Sequence, residues 1–234
     1  MLKRDLIVKN PLRAIEPDSG AYTTPHRLGL VIARAGTGKT ALLVQIALDS
    51  MLRGNRVVHV SVGESLDKTR AWYEDLFRHL AQAYQLEHAQ DVYREIMRNR
   101  MIMTFKATSF AAPKLEERLN DLVYQDIFKP ECLVIDGFDF TQAARKDLAD
   151  IRELMQAMNL HVWFSAIRHR DDTRVSDLGV PAPCHDLADL FETIILLDPR
   201  QEGISLKILK DHTVDRGARP SLLLDPATFL VKGQ

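Results

Sequence analysis

Lys39 and Thr40 close a run of small residues, Ala33-Arg34-Ala35-Gly36-Thr37-Gly38-Lys39-Thr40. An apolar stretch precedes the run and an apolar helical pattern follows it, the setting in which a glycine-rich loop cradles phosphate. Backbone N–H groups from Gly36 to Thr40 can converge on phosphate oxygens, and the start of a helix adds positive potential. Gly36 and Gly38 permit unusual dihedrals and a close approach of backbone to ligand, and Ala35 and Thr37 complete the cradle. Lys39 would bridge the outer phosphates of a nucleoside triphosphate, and the Thr40 hydroxyl would ligate Mg²⁺. The strict motif begins with glycine where Ala33 stands. A methyl is tolerated there if φ is negative.

A second stretch, ECLVIDGFDF, delivers Asp136 to the end of a buried strand. Parallel α/β sheets bind ligands at that edge, where a carboxylate can hold a hard cation through water. Asp139 is either a neighbour of that metal or a solvated turn residue. Water must also be activated, and Glu64, in HVSVGESLDK, is the candidate general base. It reaches the outer phosphate only if its strand lies near the phosphate-loop strand.

The elements that must position these groups are legible in the pattern. Strands are predicted at 28–33, 56–61, 101–105, 132–135 and 160–165. Between them lie a helix over 40–53 stopped by Gly54, and a helical region over 66–100 capped by Ser65 and open to a break. A third helix opens at Pro113 and carries Leu115, Leu119, Leu122, Val123 and Ile127 on one stripe. A fourth, capped by Thr141, has a core face of Leu148, Ile151, Leu154, Met155 and Met158 and ends at Asn159. Alternating strands and helices predict an α/β fold with a mainly parallel sheet covered on both faces. Three later strands, at 193–197, 204–209 and 222–224, have no room for helices between them and are expected to be antiparallel. Residues 1–27 read as an irregular lead-in, and 28–234 as one domain.

The chain has 234 residues and a formal net charge of −1. A domain of this size needs no disulfide staples, and no global field draws it to nucleic acid or an anionic membrane. The two cysteines, Cys132 and Cys184, form no C-x-x-C and suggest neither a zinc site nor a disulfide. No apolar run reaches membrane-span length and no signal peptide is evident, so a cytoplasmic location is expected. Cys184-His185-Asp186 reads as an ordinary loop, because adjacent residues rarely converge on one metal. Trp72 and Tyr73 could stack on a base, although core or surface packing is the simpler role. Arg168 and Arg170 read as solvated loop arginines.

The stretches LVIARAGTGKTALLVQIAL, VVHVSVGES, CLVIDGFDF, LHVWFSAIR, DLADLFETIILLDP and ISLKILKDH together resemble the RecA-like P-loop ATPase core, closest to DnaB-type helicases and KaiC-like ATPases. The resemblance spans about residues 28–230, and loops of the DnaB type often begin with alanine, as Ala33 does. It implies a RecA-like core with C-terminal antiparallel strands, ATP and Mg²⁺ as ligands, and the roles argued above for Lys39, Thr40, Asp136 and Glu64. It further implies that Ser165 ends a phosphate-sensing strand, and that Lys210 reaches the nucleotide of a neighbouring subunit in a homo-oligomer.

This sequence departs from those families in several places. Ala166 stands where the sensing glutamine would be. His212 replaces the arginine that follows the lysine of the helicase pattern, and it carries charge only part of the time at neutral pH. The loop after Asp136 is short, acidic residues offset the arginines of 167–190, and no counterpart of the helicase's N-terminal domain is expected. The expectation is therefore a slow ATPase acting as a nucleotide-dependent switch for an unidentified protein partner. A helicase- or recombinase-related nucleic-acid motor and a non-catalytic ATP-binding module are the alternatives.

Overall fold

A computed structural model describes residues 2–8, 27–141, 144–211 and 222–232. The chain runs α1 (Lys3–Val8), β1 (Leu28–Ala33), α2 (Lys39–Leu52), β2 (Val57–Val62), α3 (Leu66–Ala83), α4 (Ala89–Met97) and β3 (Arg100–Phe105). It continues through α5 (Ala112–Tyr124), β4 (Cys132–Asp136), α6 (Ala144–Met158), β5 (His161–Ile167), β6 (Thr193–Arg200), β7 (Gly203–Lys210) and β8 (Leu222–Leu224). The eight strands form one sheet in the order β3-β2-β4-β5-β1-β6-β7-β8. Strands β1 to β6 are joined by parallel pairs, and β6–β7 and β7–β8 are antiparallel. The late strands are thus antiparallel to one another as expected, while β6 also adds a parallel strand beside β1.

Alternation along β1 divides the core. Val31 and Ala33 face one side, with the apolar residues of α1, α2, α3 and α4. Leu28, Leu30 and Ile32 face the other, with those of α5 and α6. Helix α2 is buried from Ala41 to Leu52, and the apolar run ALLVQIAL suits a helix enclosed on all sides. Gly54, with φ +95°, follows its end and supplies the left-handed residue that stops helices.

Two expectations, on the lead-in and on Ile127, need correction, and two others are made more definite or left open. The lead-in is not wholly irregular: α1 places Leu6 in the core and Lys3 on Glu95 at 2.7 Å; residues 9–26 lie outside the described set. The break allowed for in the helical region over 66–100 is present: it is two helices, parted by a turn in which Gln85 and His88 have φ of 47° and 49°. Ile127 lies beyond α5 and is 56 % exposed, because the helix ends at Tyr124 and the chain buries Phe128 instead. The Thr141 hydroxyl donates to Asp139 at 2.6 Å, and the residues joining it to α6 are outside the described set. Ser65, by contrast, caps α3 as expected, accepting from the Lys68 N–H at 3.3 Å.

Gly29 shows how closely β1 and β5 are fitted. It pairs with Trp163 in register, and a Cβ on it would fall 2.4 Å from the indole. Gly29→Ala should therefore push the buried Trp163 off its seat and destabilise the fold by about 1–3 kcal/mol, the usual cost of overpacking. Urea denaturation with an unchanged m-value would check it.

Candidate nucleotide site

The chain leaves β1 and β2 toward the α2–α3 face and leaves β4 toward α6. Loops that part in opposite directions open a crevice at the carboxyl ends of the strands. Here it is a cleft of about 410 Å³ whose walls include Ala35, Gly36, Lys39, Thr40, Glu64, Asp136 and Ser165. These are seven of the ten residues singled out in the sequence as binding or catalytic.

The loop has the conformation its glycines suggest. Gly36 and Gly38 take φ of +75° and +95°, values costly for a residue with a Cβ. A Cβ at Gly36 would meet nothing within 4 Å, which leaves its backbone open to a ligand, whereas one at Gly38 would strike the Phe229 ring at 2.3 Å. Ala33 is a buried strand residue and is not among those with positive φ, so its methyl costs nothing. Thr37 is buried in the turn and its N–H donates to the Arg34 carbonyl at 3.3 Å. The Lys39 ammonium donates to the same carbonyl at 3.2 Å. Burial lowers the Lys39 pKa, and the Asp136 charge partly opposes this.

Asp136 ties the loop to β4. The Thr40 hydroxyl donates to its Oδ2 at 2.6 Å, and the Ser165 hydroxyl donates to its Oδ1. Ser165 in turn accepts the Gly137 N–H at 3.1 Å. One hydroxyl and one carboxylate side by side fit Mg²⁺, which keeps several waters and takes phosphate oxygens as its remaining ligands. Among the described residues no group of three or more His, Cys, Asp or Glu side chains could hold a metal alone. Asp139 also lines the cleft, but its Oδ1 accepts both the N–H and the hydroxyl of Thr141, at 2.8 and 2.6 Å. It is a turn-forming aspartate.

Strand β2 is not next to β1; β4 and β5 lie between them. Glu64 nevertheless enters the same cleft, because it follows a strand adjacent to that of Asp136. It is half-exposed and paired with Lys68 at 2.7 Å. Lys210 lies elsewhere: it ends β7 and donates to the Ala188 carbonyl at 2.9 Å. His212 falls outside the described residues.

Some features escaped the sequence reading. Gly137, with φ +89°, lies so close to the Val62 carbonyl that a Cβ would fall 2.4 Å from it. Phe138 and Phe140, 4.7 Å apart, join a ring cluster with Phe164 and Phe191 behind the loop. A glycine and two aromatics around the acidic residues of DGFDF were the available signal. His169 also lines the cleft.

Tyr73 is buried, with its hydroxyl 2.9 Å from Nδ1 of His59 and the Arg100 guanidinium 4.6 Å over its ring. It cannot stack on a base. Burial pushes the His59 pKa down to about 4; the Asp136 charge opposes that shift and Arg100 adds to it. Trp72 is half-buried and meets Phe229 edge-to-face at 5.9 Å. Cys132 and Cys184 are free and buried, and burial pushes the Cys132 thiol up to about 12, which makes it inert.

No protein-family model and no curated protein matches this chain. Among the described residues no helix is long and apolar enough to cross a membrane.

Proposed function

We propose that the chain binds Mg·ATP in this cleft and hydrolyses it slowly, as a RecA-like nucleotide-dependent switch that reports to a protein partner. The observation that carries the reading is the 2.6 Å bond from Thr40 to Asp136. It joins the helix that follows a phosphate-type loop to a strand-end carboxylate, beside a lysine and a glutamate. Bound Mg²⁺ would neutralise charge on the outer phosphates. Lys39 would turn from the Arg34 carbonyl to those phosphates, and the N–H groups at the start of α2 would add their dipoles. Ser165 holds the Asp136 carboxylate in place. Glu64 would leave Lys68 and take a proton from the attacking water. Exposed ion pairs contribute only about 0–1 kcal/mol, so this swing is cheap.

Lys210 and the arginines of 167–190 bear on what the switch works with. Arg174 is paired with Asp172 at 2.6 Å, which favours a protein partner over a nucleic-acid track. Turnover of pure protein should be slow and unchanged by single-stranded DNA at physiological salt. Submicromolar DNA affinity that falls steeply with added salt would support the motor reading instead. If Lys210 serves a neighbour, turnover should rise more steeply than protein concentration. Mixing Lys210→Ala with Glu64→Ala should then restore activity, because one interface keeps both groups. A linear rate, with a single mass at all nucleotide states, would leave Lys210 a surface charge.

A further inference from the structure

We infer that His169 is the side chain by which this cleft distinguishes a nucleoside triphosphate from a diphosphate; the inference rests on the nucleotide reading above. Strand β5 lies between β1 and β4. Its carboxyl end therefore rises between the phosphate loop and Asp136. The chain just beyond it is pinned: Ala33 pairs with Ile167, and the Arg168 N–H donates to the Ala33 carbonyl at 2.9 Å. The ladder thus continues to the root of the loop. His169 is the next residue, and it lines the cleft with Lys39, Thr40, Glu64 and Asp136.

Charge and hydrogen-bond supply then decide its role. Among the described residues the cleft is lined by three carboxylates, Glu64, Asp136 and Asp139, and by two side chains that can be cationic, Lys39 and His169. The loop's N–H groups and Lys39 serve any phosphate chain seated in the cradle. A terminal phosphoryl group beyond them, toward Glu64, needs a donor of its own. Ser165 cannot supply it, because its hydroxyl donates to Asp136. Ala166 has only a methyl, and it is buried in the cluster on the α5–α6 side. The His169 ring is exposed. An imidazole keeps at least one N–H donor in either tautomer, so His169 acts without having to be charged.

The test is calorimetry on wild type, His169→Ala and His169→Gln, with Mg·ADP and with a non-hydrolysable Mg·ATP analogue. Wild type should prefer the triphosphate. His169→Ala should shrink that preference roughly 10–100-fold, the worth of one hydrogen bond to a charged group, while ADP affinity stays the same. His169→Gln, which keeps a donor, should recover part of the preference. The ring is exposed, so all three proteins should melt together. An unchanged ratio in His169→Ala, or equal weakening toward both nucleotides, would overturn the assignment. Wild type that binds neither nucleotide would remove the nucleotide reading itself and this inference with it.

Discussion

Glu64→Gln should bind Mg·ATP about as tightly as wild type and turn it over about 10²–10⁴-fold more slowly, the range a positioned general base supplies. Glutamine keeps the shape of the side chain and its hydrogen-bonding oxygen but cannot accept the proton. Glu64 is half-exposed and its ion pair with Lys68 is at the surface, so the substitution leaves the core untouched. Single-turnover hydrolysis beside calorimetry separates the two effects. Turnover within a factor of two of wild type would remove Glu64 from the chemistry and favour a non-catalytic binding module. Lys68→Ala is the useful control: it frees the glutamate without removing it.

Lys39→Ala should weaken Mg·ATP by roughly 1.5–3 kcal/mol, the net worth of a hydrogen bond to a charged group. The loop N–H groups remain, so binding is reduced rather than abolished. Burial disfavours the Lys39 ammonium in the free protein and the Asp136 charge supports it. A polyphosphate would add negative charge beside it, so its pKa should rise on binding. Calorimetry in buffers of different ionisation enthalpy, above pH 8, should show proton uptake in wild type and none in the variant. Equal affinities for the two proteins would end the phosphate-loop reading.

The sequence shows most clearly those features set by neighbours along the chain. Continuous apolar runs mark β1 and β4, Gly54 marks the end of α2, and Ser65 marks the start of α3. Asp136 was found because a four-residue apolar run delivers it to a strand end. What stayed hidden depends on contacts between distant segments. Nothing local tells that β6 pairs with β1, or that Glu64 reaches the cleft from a strand separated from β1 by two others. The ten residues of AAPKLEERLN and those after it suggest a helix, but not that Ile127 stays outside while Phe128 turns in. Trp72 and Tyr73 are neighbours in sequence, yet the helical turn of about 100° per residue sends one toward Phe229 and the other into the core. His169 was missed because it follows the strand rather than ending it.

The Phe229 ring fills the space behind Gly38, and the Phe229 carbonyl accepts from the Gln45 side chain at 3.0 Å, across 184 residues of sequence. A ribosome therefore makes the phosphate loop long before its backing. Until β8 and the turn after it dock, the base of α2 has a gap where the phenyl ring belongs, and the loop lacks the wall that holds its left-handed turn. A chain emerging from the ribosome has every motif residue of the cleft long before the wall behind Gly38 is in place. The wall behind Gly38 comes with the segment that adds β8 to the edge of the sheet.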